Sequence, residues 1–85
     1  LVTTATRRNV ERILEHFSLA ELFDAVVTQE DVLHAKPDPF CYNMVIERFG
    51  VDRSRCIIFE DSASGVAAAL ASGCQTLRVR KGAAL

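Results

Sequence analysis

At 85 residues, 49% of them hydrophobic and 25% charged, with a net charge of −1, the chain has room for one small domain and not for two. So even a balance gives no electrostatic case for nucleic acid or an anionic membrane surface as a partner, and no apolar run approaches the roughly 20 residues that span a bilayer. The three cysteines, Cys41, Cys56 and Cys74, are odd in number, widely spaced and set in apolar contexts. They read as reduced core thiols of a reducing compartment, hence the cytoplasm, and their spacing does not suit zinc.

The first element is "LVTT", Leu1–Thr4, a short β-prone run that resembles the end of a strand without its lead-in. A piece of a longer protein is therefore expected. A helix follows, in which Val10, Ile13, Leu14 and Phe17 fall on one stripe, with Thr6 or Asn9 available to cap its start. "SLAE" has capping-box spacing and predicts one more helical turn. "AVVT", Ala25–Thr28, is a second strand, and "QEDVLHAKPDP" a connecting loop. Asp38 as N-cap and Pro39 at the first helical position predict the next helix. Cys41, Met44, Val45 and Phe49 form its inner face, Tyr42 packs with them, and Gly50 stops it. "RCIIFE" is continuous in its apolar character, as a parallel strand covered on both faces would be. An alanine-rich helix closed by Gly73, the strand "CQTLRV" and a polar, then small tail "RKGAAL" complete the chain. Strands alternating with helices predict an α/β fold, a mainly parallel sheet with flanking helices.

Ligands of open α/β sheets bind beyond the carboxyl ends of the strands. There this chain collects Thr3, Thr4 and Thr6 after the first strand, Gln29, Glu30, Asp31 and then Lys36 after the second, and Glu60, Asp61, Ser62 and Ser64 after the third. Only Arg80 and Lys81 follow the fourth. Hydroxyls, one lysine and paired carboxylates are the groups that surround a phosphate and a hard cation. Two acids at a strand end repel unless a cation or hydrogen-bond donors compensate, and Mg²⁺ needs only one or two carboxylates. Asp61 either binds such a cation or caps the following helix. Lys36 stands before a proline, in the stiff frame "KPDP", and is either a phosphate-binding point charge or a solvated surface lysine. A threonine at the end of the first strand either caps the next helix or, with the backbone N–H groups beside it, cradles a phosphate oxygen. His16, His34, Arg7 and Arg8 read as surface residues.

A strand ending in Thr4, then "KPDP" with Lys36, then "FEDSASG" with Glu60 and Asp61, resembles the haloacid dehalogenase-like (HAD) hydrolase superfamily, in particular its small phosphatases and β-phosphoglucomutase-like enzymes. The likeness extends across nearly all of the chain. It implies a Rossmann-like core and Mg²⁺. It implies that the Thr4 hydroxyl and the Ala5 N–H hold the phosphoryl oxygens, with Thr3 the alternative if the register is one residue off, and that Lys36 offsets the charge of the phosphoryl group. Asp61 would be the direct Mg²⁺ ligand and Glu60 a second ligand or a group behind it; Ser62 would support the loop, and Gly65 would let the helix start lie close. The family's Asp-x-Asp strand, whose first aspartate attacks phosphorus, and its cap domain have no counterpart here.

On this resemblance residues 1–85 are expected to be the C-terminal part of a HAD-like core domain, incomplete without the nucleophile strand. That strand would lie between the first and third strands of this chain. Their unpaired edges would then seek either the missing N-terminal part of the same protein or another copy. The chain alone is expected not to form a stable, active monomer. The implied activity is Mg²⁺-dependent hydrolysis of a small phosphorylated metabolite, such as a sugar phosphate or phosphoglycolate, through an aspartyl-phosphate intermediate. A β-phosphoglucomutase-like phosphotransfer and a non-catalytic binding fragment are the alternatives. A nucleotide-binding α/β domain of another family would want a Gly-rich loop after the first strand, which is absent.

Overall fold

The computed structural model describes residues 1–80; Lys81 and the rest of the tail lie outside them. Thr6, extended and with its hydroxyl accepting the Asn9 N–H at 3.3 Å, caps α1 (Arg7–His16). Val10 and Leu14 are buried, whereas Ile13 and Phe17 stay 53% and 63% exposed, so only one side of the expected stripe is covered. Ser18 opens no capping box. It adopts φ 54° beyond the end of α1, its N–H donating to the Glu15 carbonyl and that of Leu19 to the Leu14 carbonyl. This is a Schellman closure, so Ser18 finishes one helix instead of starting the next. The short 3₁₀ turn that follows, Ala20–Leu22, has no side-chain cap.

The expected strands Leu1–Thr4 and Ala25–Thr28 shrink to one parallel bridge between Val2 and Val27. The Thr3 N–H donates to Val27 at 2.9 Å and the Val27 N–H to Leu1 at 2.8 Å. Beyond the bridge the pairing loses its register: the Gln29 N–H passes Thr3 and donates to the Ala5 carbonyl at 3.0 Å, and the Ala5 N–H turns to a side chain. Thr3 Oγ1 accepts the Ala5 N–H at 3.1 Å, and Asp31 Oδ2 accepts the Thr28 N–H at 2.8 Å. The connecting loop contains a 3₁₀ turn, Gln29–Asp31, and a tighter turn in which the Asp38 N–H reaches the Ala35 carbonyl across the cis Lys36–Pro37 bond.

Helix α2 (Phe40–Phe49) starts one residue later than the sequence suggests. Proline has no N–H to give, so Asp38 Oδ1 accepts from Phe40, at 2.8 Å, and Pro39 occupies the cap position. Gly50, at φ 61°, ends the helix in the left-handed region. The buried face of α2 is Cys41, Tyr42 and Ile46; Met44 and Val45 are half-buried, and Phe49, expected inside, is exposed.

The rest of the chain is a βαβ unit: β1 (Ile57–Glu60), α3 (Ala63–Ala71) and β2 (Gln75–Arg78). The strands pair in parallel from Ile57–Gln75 to Glu60–Arg78. Ala68 and Ala69 of α3 are fully buried and pack with Cys41 and Tyr42, while Val2, Val32 and Ile58 close the cluster. Arg53 ties α2 to the end of α3, donating to Asn43 Oδ1 at 2.6 Å and to the Ser72 carbonyl at 2.7 Å. The α/β class and parallel pairing hold, but β1 is not covered on both faces. Alternation turns Ile57 and Phe59 away from Glu60, and they remain 52% and 65% exposed. Among the described residues no strand joins the Val2–Val27 bridge to the β1–β2 pair.

Candidate active site

Two of the functional candidates, Lys36 and Glu60, come together in one buried ion pair. Lys36 leaves the Ala35–Asp38 turn and directs its ammonium inward. Nζ donates to Glu60 Oε2 and, at 3.3 Å, to the Val2 carbonyl, and it stands 5.3 Å from the centre of the Tyr42 ring. Glu60, the last residue of β1, also accepts the Tyr42 hydroxyl on Oε2. Burial, and then the bond to Glu60, drive the Tyr42 phenol well above its ordinary pKa, so it remains a donor. A Cβ on Gly65 would overlap the Glu60 carboxylate, so glycine is needed here for space.

Thr3 and Thr4 line a cavity of about 230 Å³ together with Lys36 and Gln29. Thr4 is exposed; Thr3 is half-buried, its hydroxyl accepting the Ala5 N–H. Asp61 follows Glu60 but points elsewhere, as strand alternation requires. It is exposed and lines an open cavity of about 420 Å³ with Arg78, Val79 and Arg80. It does not cap α3: Ser62 does, its Oγ accepting the Gly65 N–H at 3.0 Å. The two acids therefore differ in kind. Glu60 is compensated within the fold, and Asp61 is presented to solvent. Among the described residues no three His, Cys, Asp or Glu side chains cluster as a metal site. The exposed Asp61 carboxylate is a hard oxygen donor of the type Mg²⁺ takes, and one or two such donors suit that ion.

His34 and His16 stand apart, edge-on to Phe40 and Phe17 at centroid distances of 5.7 and 4.8 Å. Arg7 is held internally: its guanidinium donates to Asp31 Oδ2 at 2.5 Å and to the Val26 carbonyl at 3.3 Å, and its N–H to Glu30. The residue pattern places Tyr42 with the packing residues of its helix. The signal that could have found its partner is general: a buried tyrosine hydroxyl needs one, and Glu60 was the buried acceptor on offer.

The parallel βαβ unit carries Glu60 and Asp61 where β1 ends, with Lys36 bonded to the first of them. Residues 1–79 match the haloacid dehalogenase-like hydrolase family, and the chain belongs to it. It is 40% identical over 70 residues to a fructose-1-phosphate phosphatase of Escherichia coli, covering 82% of this chain and 37% of that protein. It is 36% identical over 77 residues to a phosphorylated carbohydrates phosphatase of Thermotoga maritima, covering 91% of this chain and 36% of the relative. A crystal structure described as a candidate β-phosphoglucomutase from Thermotoga maritima superposes with a TM-score of 0.91 at 34% identity, over 99% of this chain and 39% of that one. The chain thus spans a little over a third of the length of these proteins.

Proposed function

We propose that the complete protein is a phosphoric monoester hydrolase acting on a small phosphorylated metabolite of the sugar phosphate or phosphoglycolate type. This chain would supply the phosphate- and cation-binding half of its core. The observation that carries the reading is Lys36: its ammonium is fixed by Glu60, the residue lines one cavity with Thr3 and Thr4, and its acidic partner is followed directly by the exposed Asp61. The phosphatase relatives support the substrate class.

In this reading the Thr4 hydroxyl and the Ala5 N–H hold phosphoryl oxygens, with Thr3 supporting them; Ala5 exchanges its bond to Thr3 for one to the ester. Lys36 offsets charge that grows on the phosphoryl oxygens in the transition state, the largest single kind of help available to such a transfer. Asp61 is this chain's ligand for Mg²⁺, and Glu60 stands behind it as the counter-charge of Lys36. Bound Mg²⁺ would neutralise and orient the ester. Ser62 and Gly65 hold the loop, one by capping α3 and the other by making room for the Glu60 carboxylate. The nucleophile is an aspartate outside this chain, and an aspartyl-phosphate is the intermediate. The strand that carries it would fill the gap between Val2 and β1, which makes the rest of the same protein the first partner; self-association through those edges is the alternative. Three free thiols favour the cytoplasm.

The structural likeness to a candidate β-phosphoglucomutase supports a second reading, phosphotransfer within a sugar phosphate. Incubating the complete protein with Mg²⁺ and sugar phosphates or phosphoglycolate separates the two. The hydrolase releases inorganic phosphate, and the mutase yields an isomeric sugar phosphate. Neither product from any of these esters would refute both.

A further inference from the structure

We propose that Tyr42 is a positioning residue of this site, its buried phenol holding the Glu60 carboxylate in the orientation that aims the Lys36 ammonium. The inference rests on the phosphate-handling reading above and adds a residue to it. Tyr42 is 6% exposed and reaches Glu60 from the first turn of α2. Its hydroxyl donates to Oε2, the same oxygen that takes Lys36 Nζ, and its ring faces that ammonium at 5.3 Å. The terminal torsion of a glutamate is soft, with broad two-fold wells, so an ion pair alone does not fix the plane of the carboxylate. Here Oε2 takes the Tyr42 hydroxyl as well as the Lys36 ammonium, and the carboxylate occupies the space that a Cβ on Gly65 would fill. Two of the three ammonium donors are then spent on Val2 and Glu60, and the direction of the third follows from them. The turn that delivers Lys36 leads within a few residues into the helix that delivers Tyr42. One stretch of chain thus carries both the charge and the group that orients it.

The test is Tyr42→Phe in the complete protein, which keeps the ring and its face toward Lys36 and removes only the hydroxyl. We expect kcat to fall about tenfold with KM changed less than about twofold, and inorganic phosphate, titrated by calorimetry, to bind more weakly. On a Lys36→Ala background the same substitution should change neither phosphate affinity nor residual kcat, because a residue that acts through Lys36 has nothing left to position. Thermal melts accompany each variant. Wild-type kinetics and phosphate affinity in Tyr42→Phe would overturn the inference. So would an equal loss on both backgrounds, or a variant that does not fold, since each makes the hydroxyl a structural group. A wild-type protein that hydrolyses esters while Tyr42→Phe is unaffected sinks the positioning role alone. A wild-type protein that neither hydrolyses esters nor binds phosphate sinks the functional reading as well.

Discussion

Lys36 and Glu60 form an ion pair whose two side chains are only 7% and 8% exposed. Two charges so far withdrawn from water are stable only together, because each would otherwise bear its desolvation cost alone. Lys36→Met should therefore lower the stability of the complete protein by about 3–5 kcal/mol in urea unfolding. Adding Glu60→Gln should recover most of that loss, since no buried charge is then left unpaired. If the double variant is no more stable than the single one, the pair is not the reason for the loss.

The α3 start makes a steric prediction. A methyl group on Gly65 would occupy the space of the Glu60 carboxylate, which Lys36 and Tyr42 hold by Oε2. Gly65→Ala should cost about 1–3 kcal/mol by overpacking, despite the better helix propensity of alanine. A melting temperature equal to or above that of the wild type would show that the carboxylate moves aside freely.

Acid should loosen the junction of α1 with the 3₁₀ turn at Gln29–Asp31. The Thr28 N–H and hydroxyl, and then Arg7, hold the Asp31 carboxyl below its ordinary range; the Arg7 N–H does the same for Glu30. A depressed folded-state pKa means stability that is complete above the unfolded value, near pH 4, and is lost as pH falls through the folded one. The unfolding free energy should thus decline on acidification below about pH 5, and Asp31→Asn should flatten that decline. An unchanged pH profile in Asp31→Asn would remove Asp31 as the cause.

The open face of β1 predicts association. Ile57, Phe59 and Leu77 are all about half or more exposed, next to a strand edge without a described partner. The 85-residue chain by itself should sediment as more than one copy, and Phe59→Lys should shift it toward the monomer. A monodisperse monomer with wild-type sequence would contradict the unpaired edge.

Much of this architecture could be read from residue patterns because local chemistry decides it. Gly50 ends α2 in the left-handed region, Thr6 caps α1, and "IIFE" of the expected third strand becomes β1. Where patterns misled, local hydrogen bonds had claimed backbone groups. Thr3 takes the Ala5 N–H just past the single Val2–Val27 bridge, and the backbone of Ser18 is spent on closing α1. For the site, the segments that meet could be read from where the strands end. That Glu60 and Asp61 diverge follows from strand alternation, but which of them is buried and compensated could not be read, because that depends on Tyr42 and Lys36 arriving from another element. No periodicity encodes that.

In the proposed reaction an ammonium and a carboxylate cooperate on one ester, and the most direct measurement of this is Mg²⁺-dependent hydrolysis of an aryl phosphate by the complete protein and two variants. Asp61→Ala should lose the Mg²⁺-stimulated rate entirely, and Lys36→Ala should lose about 10²–10³-fold in kcat. Wild-type-like, Mg²⁺-stimulated turnover in either variant would contradict it.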